Sequence, residues 1–238
     1  MSKSKVILVI PAYNEEGSIL KTYKTIESYN KKEKDKIDVI VINDGSKDRT
    51  KDILIENNIP HINLISNLGI GGAVQTGYKY ALDNDYDIAI QFDGDGQHDV
   101  NYVKDLITPI EEKKANMVIG SRFIEKTKDG FKSSKARRIG INIISFFIKL
   151  KTGKKIYDST SGFRAIDKNI LNLFKDYYPV EYPEPISSVN VLKEGYTISE
   201  VPVVMKKREE GKSSISSWKN IYYMINVILS IILMKGRK

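Results

Sequence analysis

Short apolar runs alternate with longer amphipathic stretches through the first half of the chain. "KVILVI" (5–10), "IDVIVI" (37–42), "HINLI" (61–65), "YDIAIQ" (86–91) and "NMVIG" (116–120) are rich in β-branched residues and bounded by turn formers, which predicts five strands. Between them, residues 15–29, 48–57, 70–84 and 99–114 have the spacing of helices. Strands separated by helices of this length predict βαβ units and an α/β fold with a mostly parallel sheet. The runs are apolar without a break, whereas a sheet wetted on one face would alternate, so helices are expected on both faces.

In a parallel sheet ligands gather at the carboxyl ends of the strands. The polar, turn-forming segments sit at those ends: "PAYNEE", "NDGSKDRT", "SNLGIGG", "DGDGQH" and "GSRF" follow the five runs in order. They are expected to line one rim.

Beyond residue 120 the pattern loosens. Residues 125–136 are rich in Lys, Ser and Gly and read as a loop, 137–150 is apolar with a basic start, and 158–167 reads as a turn and a strand. A helix near 184–194, a strand at 197–205, the basic loop "KKREEGKSS" and a last apolar helix complete the chain. There is no internal repeat, and the expected division is a domain over 1–215 followed by an apolar, basic helix over 216–238. The run 221–234 would extend about 21 Å as a helix, short of the roughly 30 Å hydrocarbon core. It is expected to lie in the membrane interface, with a core helix closing the domain as the alternative. The first apolar run is too short for a secretory leader, so the catalytic part is expected in the cytoplasm.

Charge sharpens this picture. The net charge is +8, but residues 125–155 hold ten Lys or Arg against two acidic side chains, and 205–238 hold eight against two. The remainder is acidic. A basic, apolar C-terminal half points to an anionic membrane surface. Nucleic acid is not expected as a partner, because the charge is interleaved with aliphatic runs and no aromatic stacking platform accompanies it. Without cysteine the chain offers no disulfide, thiol nucleophile or Cys-based metal site.

The candidate chemistry centres on "DGDGQH". Asp93 and Asp95 stand two apart at a strand exit, and the glycines between and after them allow a tight bend. Two carboxylates, with Gln97, suit Mg²⁺ or Mn²⁺, ions that share their shell with water and phosphate oxygens. His98 beside them reads as a supporting or surface group rather than a ligand. Asp44 at the end of the second strand is placed to accept bonds from a base or ribose, and Tyr13 offers a ring to a nucleobase. In "NLGIGG" the third glycine of G-x-G-x-x-G is replaced by Val74, so the segment is a glycine-rich helix start approaching a nucleotide, not a dinucleotide fingerprint. No P-loop sequence occurs.

In this order, "PAYNEE", "NDGSKDRT", "DGDGQH", "GSRF", "DSTSGFR" and "REEGKSSI" resemble the motifs of family 2 glycosyltransferases with a GT-A fold, in particular the branch that glycosylates dolichyl and polyprenyl phosphates. The likeness covers roughly residues 5–215. It implies a nucleotide-sugar donor, a divalent ion and inversion at the sugar carbon. Carried over by motif, it implies Pro11, Ala12, Tyr13, Glu15, Asp44, Gly72, Asp93, Gly94 and Asp95 at the nucleotide, and Asp93, Asp95 and Gln97 at the metal. Asp95, Arg122, Arg208 and Glu184 are implied in the transfer, and Arg137, Arg138, Ser161 and Arg164 at an acceptor phosphate. Lys212 and Ser213 share the loop of Arg208.

One departure bears on the acceptor. Many family members that glycosylate hydroxyls carry a Glu-Asp pair that supplies a base, whereas this chain reads "EYPEPISS". An ionised phosphate needs no base, so the missing pair favours a lipid phosphate. A glycan hydroxyl with Glu184 as base, and a non-catalytic nucleotide-sugar binder at the membrane, stay open as alternatives. The expected place is the cytoplasmic face of the membrane, peripheral or monotopic. The sequence does not decide between a monomer and a homo-oligomer.

Overall fold

A computed structural model describes residues 4–33, 36–124, 135–206 and 217–234. Seven strands form one sheet: β1 (Val6–Ala12), β2 (Asp38–Asn43), β3 (His61–Asn63), β4 (Ile88–Gln91), β5 (Met117–Ser121), β6 (Arg164–Asp167) and β7 (Ile198–Pro202). Their spatial order is β3-β2-β1-β4-β6-β5-β7. Every pairing is parallel except those of β6, which runs against β4 and β5.

The helices are α1 (Ile19–Lys32), α2 (Thr50–Glu56), α3 (Gly69–Asp83), α4 (Val103–Glu111), α5 (Lys135–Thr152), α6 (Lys168–Asp176), α7 (Pro183–Lys193) and α8 (Ser217–Leu233). They cover both faces, and β1 shows why its apolar run has no break. Ile7 and Val9 pack with α3, α6 and α7, while Val6, Leu8 and Ile10 pack with α1 and α4. Both sets of side chains leave water, at roughly 1.5–3 kcal/mol each.

β6 was read from sequence only as a strand, and its direction has a structural cause. After α5 the chain returns to the rim, where Asp158 lies against Arg122 at the end of β5. A strand that starts at the rim runs opposite to those that end there. Other boundaries also move. α1 begins at Ile19, not near 15, because Asn14 takes a left-handed φ of 55° and cannot open a helix. β3 stops at Asn63, and Ile65 stands fully exposed. The helix expected over 99–114 is a short 3₁₀ turn at Val100–Tyr102 followed by α4. α6 was not anticipated.

α8 packs in part against the core. Val227 and Ile231 are fully buried beside Ile144 and Ile148 of α5. Its last carbonyls are satisfied by lysines, with Lys151 Nζ donating to Ile232 O at 2.6 Å and Lys193 Nζ to Met234 O at 2.8 Å. Its other side is exposed at Tyr222, Ile225, Leu229, Ile232 and Leu233. No helix among the described residues is long and apolar enough to cross a membrane.

Candidate active site at the carboxyl rim

The first two rim segments lace together. Asn14 N–H donates to Ser46 Oγ, and Lys47 N–H to Asn14 Oδ1. Glu15 N–H donates to Thr50 Oγ1 at 2.8 Å, and Glu16 N–H to Asp48 Oδ2 at 3.1 Å. Asp48 also accepts the Thr50 hydroxyl and N–H, and although burial pushes its carboxyl up, these bonds prevail and hold it below the usual range. Asp48, just ahead of α2, thus holds the first N–H of that helix and clamps "PAYNEE" at once. Pro11 and Ala12 are buried at the end of β1, and Tyr13 is 43% exposed on the rim. Glu15 Oε2 accepts the Ser18 hydroxyl at 2.5 Å.

Asp44 differs from expectation. It is only 3% exposed, and its Oδ1 accepts the Leu68 N–H at 2.7 Å. Burial raises its carboxyl, opposed by the N–H groups of Leu68 and Gly69. One oxygen thus anchors the start of α3 instead of facing a nucleotide freely. Gly72 packs under the Leu68 side chain, where a Cβ would lie 2.5 Å from Leu68 Cβ.

The "DGDGQH" turn is held from several sides. Thr22 Oγ1 donates to Gly94 O at 3.0 Å, and Asp95 Oδ1 accepts the Gln97 N–H at 3.0 Å. Gly96 takes a φ of +76°, which a side chain would strain. Asp95 is buried, whereas the Asp93 side chain keeps 33% of its surface open. His98 lies inside, stacked on Phe163 at 4.6 Å and edge-on to Phe92 at 5.4 Å. Burial lowers its pKa against the opposing pull of Asp93 and Asp95, which favours a neutral ring.

Among the described residues no three His, Asp or Glu side chains gather as a metal cage. The turn offers two carboxylates on a rim, a hard-oxygen set for an ion that completes its shell with water and phosphate oxygens, and these residues fit Mg²⁺ or Mn²⁺ in that sense.

Arg122 is engaged on one edge. Its N–H, Nε and Nη2 donate to the Asp158 carboxylate at 3.1, 2.7 and 2.7 Å, and Nη2 also reaches Thr160 Oγ1 at 3.2 Å. Asp158 N–H and Tyr157 N–H in turn donate to Glu200 at 2.9 and 2.8 Å. Burial, chiefly, raises the Glu200 carboxyl. Asp158 and Glu200 were not singled out from sequence, although a lone Glu in the strand "TISEVPVVM" was a visible signal. Phe123 lies between two guanidiniums, 5.3 Å from that of Arg122 and 4.3 Å from that of Arg138 on the first turn of α5. Arg137 beside it is also exposed.

Two expected phosphate ligands lie inside instead. Ser161 is 1% exposed and donates its hydroxyl to Gly120 O at 2.7 Å. Arg164 is equally buried, and its guanidinium donates to Ser161 O, Ser159 O, Glu184 O and the hydroxyls of Ser187 and Ser188. A guanidinium so fully bonded serves the protein: it ties the start of β6 to the start of α7. Glu184 itself stands on the first turn of α7, its carboxyl raised by burial, with Arg164 lowering it and the charge of Asp93 raising it further. Arg208, Lys212 and Ser213 lie outside the described residues.

A mostly parallel seven-stranded sheet with helices on both faces, and carboxylates and arginines gathered at its carboxyl rim, is an α/β fold of GT-A type. The sequence matches the glycosyl transferase family 2 profile over residues 7–174, and the chain belongs to that family of glycosyltransferases. It is 31% identical to a UDP-N-acetylglucosamine–dolichyl-phosphate N-acetylglucosaminyltransferase of Methanococcus voltae, over 85% of this chain and 86% of that one. It is 26% identical to an undecaprenyl-phosphate mannosyltransferase of Micrococcus luteus, over 89% of this chain and 88% of that one. Its fold is similar to glucosyl-3-phosphoglycerate synthase of Mycobacterium tuberculosis, solved with Mn²⁺, UDP-glucose and phosphoglyceric acid. That match has a TM-score of 0.70 at 15% identity and covers 98% of this chain and 82% of the other.

Proposed function

We propose that this chain transfers a sugar from a UDP- or GDP-sugar to the phosphate of a polyprenyl lipid, undecaprenyl or dolichyl, with inversion at the anomeric carbon. The work takes place at the cytoplasmic face of the membrane and serves surface-glycan synthesis. Residues 1–215 carry the chemistry, and the helix within 216–238 meets the bilayer.

One observation carries the choice of acceptor. Ile139, Ile143, Phe146 and Leu150 recur every three or four residues along α5 and are exposed, as are Tyr222, Ile225, Leu229 and Ile232 along α8. The two helices lie side by side, with Gly140 against Met224 near one end and Lys151 bonded to Ile232 O near the other. This shared apolar face begins at Arg137 and Arg138, next to the rim, and ends near the exposed Lys149, Lys154 and Lys155. Apolar residues seated in the interface and cations among anionic head groups suit a lipid surface. A polyprenyl phosphate held there would present its phosphate at the arginine end. The Methanococcus and Micrococcus relatives, which act on dolichyl and undecaprenyl phosphate, support the same acceptor class.

The chemistry follows from charge. A phosphate monoester is largely ionised at neutral pH, so its oxygen attacks the anomeric carbon without a base. The bond from that carbon to the diphosphate oxygen breaks, and the electron pair leaves with the nucleoside diphosphate. Asp93 and Asp95, with Gln97 nearby, would hold Mg²⁺ or Mn²⁺, which supplies charge neutralisation to the leaving diphosphate. Arg137 and Arg138 orient the acceptor phosphate, and Arg122 and Arg208 offset the charge of the leaving diphosphate. Tyr13 lies against the base. A hydroxyl acceptor would instead require Glu184 to take a proton.

The test is transfer from radiolabelled UDP- and GDP-sugars to undecaprenyl phosphate in the presence of Mn²⁺. The expected product is label extractable into butanol. Label confined to aqueous glycan, or none transferred, contradicts the proposal.

A further inference from the structure

The geometry points to His98 as a positioning residue that fixes where the Asp93 carboxylate stands on the rim. The inference rests on the reading of Asp93 as a metal and diphosphate ligand.

Asp93 opens a turn with glycines at 94 and 96, a backbone with little stiffness of its own. The Gln97 N–H to Asp95 Oδ1 bond tightens the later part of the turn, so the order at Asp93 itself comes from a group beyond it. His98 supplies it at two points on one residue. Its Nδ1 accepts the Asp93 N–H at 2.9 Å, which puts the proton of a neutral ring on Nε2. Nε2 then faces Asp93 Oδ2 at 3.4 Å. Backbone and carboxylate of the same aspartate are thus referred to one rigid ring.

The ring cannot drift. Its side chain is 2% exposed and lies flat on Phe163, with an interplanar angle of 14°. The far side of the carboxylate is bounded by Gly162, where a Cβ would come within 3.3 and 3.5 Å of the two Asp93 oxygens. Phe163 and Gly162 belong to the loop whose Asp158 grips Arg122. One loop therefore sets the aspartate on one side, through histidine and glycine, and the arginine on the other.

Two substitutions separate the two contacts. His98→Asn keeps an acceptor near the Nδ1 position but does not reach the carboxylate, whereas His98→Gln places an amide N–H near the Nε2 position. The probe is Mn²⁺, titrated by electron paramagnetic resonance against the full chain with UDP or GDP present, with thermal unfolding as the control for folding. The expected result is that His98→Gln stays within about threefold of wild type while His98→Asn loses about tenfold or more in Mn²⁺ affinity, the range seen when groups behind a metal ligand are removed. Wild-type affinity in His98→Asn overturns the inference. So does an equal loss in both variants, because it makes the histidine a packing residue only. A wild-type protein that binds no Mn²⁺ with either diphosphate instead sinks the metal reading itself.

Discussion

Asp158→Ala tests the organisation of the rim through stability. The Asp158 carboxylate is fully buried, the Arg122 side chain is 9% exposed, and their contacts measure 2.7 Å at both Nε and Nη2. Truncation leaves the cation out of water with the Thr160 hydroxyl as its remaining side-chain partner, at 3.2 Å. Breaking a buried pair by removing one member costs about 3–5 kcal/mol, because the partner charge is stranded. Relief of the Asp158 charge acting on Glu200 works in the opposite direction and places the expectation at the lower end. Asp158→Asn keeps the shape and one acceptor but loses the charge, and should cost about 1.5–3 kcal/mol, the worth of a hydrogen bond to a charged group. Urea unfolding followed by circular dichroism gives both values. Replacing Arg122 and Asp158 together by Met and Leu should recover most of the loss. A loss below about 1 kcal/mol for Asp158→Ala, the level of a surface pair, would refute the buried pairing.

Gly162→Ala would set a Cβ 2.8 Å from Gln91 Nε2 and 3.3 Å from Asp93 Oδ1; overpacking should cost about 1–3 kcal/mol in thermal unfolding. Displacing Asp93 by about an ångström should slow transfer by about 100-fold, and an unchanged rate would contradict the placement of Asp93. Glu184 is raised by burial, so the folded state holds its proton more tightly and that stabilisation is lost as pH rises from the ordinary carboxylate range through the raised value. Glu184→Gln should therefore gain stability relative to wild type in urea unfolding as pH rises above the ordinary carboxylate range, and should keep its transfer rate if the acceptor is a phosphate. Phe146→Asp combined with Leu229→Asp alters two exposed positions on the α5–α8 face; it should abolish co-sedimentation with phosphatidylserine vesicles at unchanged melting temperature. Undiminished binding would remove the face from the account.

The parts of the fold that follow from local pattern were legible. β1, β2 and β4 announce themselves because both faces are buried, and the rim motifs lie at strand ends as parallel topology requires. The direction of β6 was not legible, since it depends on where α5 returns the chain. The site divided in the same way. The position of Asp93 and Asp95 on the rim, just past β4, follows from their spacing at a strand exit. Ser161 and Arg164 are placed at a phosphate by the family motif alone, yet their direction is set by tertiary partners, the carbonyls of Gly120 and Glu184, that no motif encodes. Asp44 shows the intermediate case, in which a rim carboxylate is also needed by the N–H groups that open the next helix. The apolar spacing of α5 and α8 was visible as composition, but which stripe packs inward and which remains exposed required the sheet beneath them.

The central claim is that Asp93 and Asp95 hold a divalent ion against a departing diphosphate. Its most direct measurement is anomalous diffraction at the manganese edge from crystals grown with Mn²⁺ and UDP or GDP. The expected result is a single strong peak within coordination distance of both carboxylates and of the diphosphate. A nucleotide bound elsewhere, or a peak that contacts neither aspartate, would contradict it.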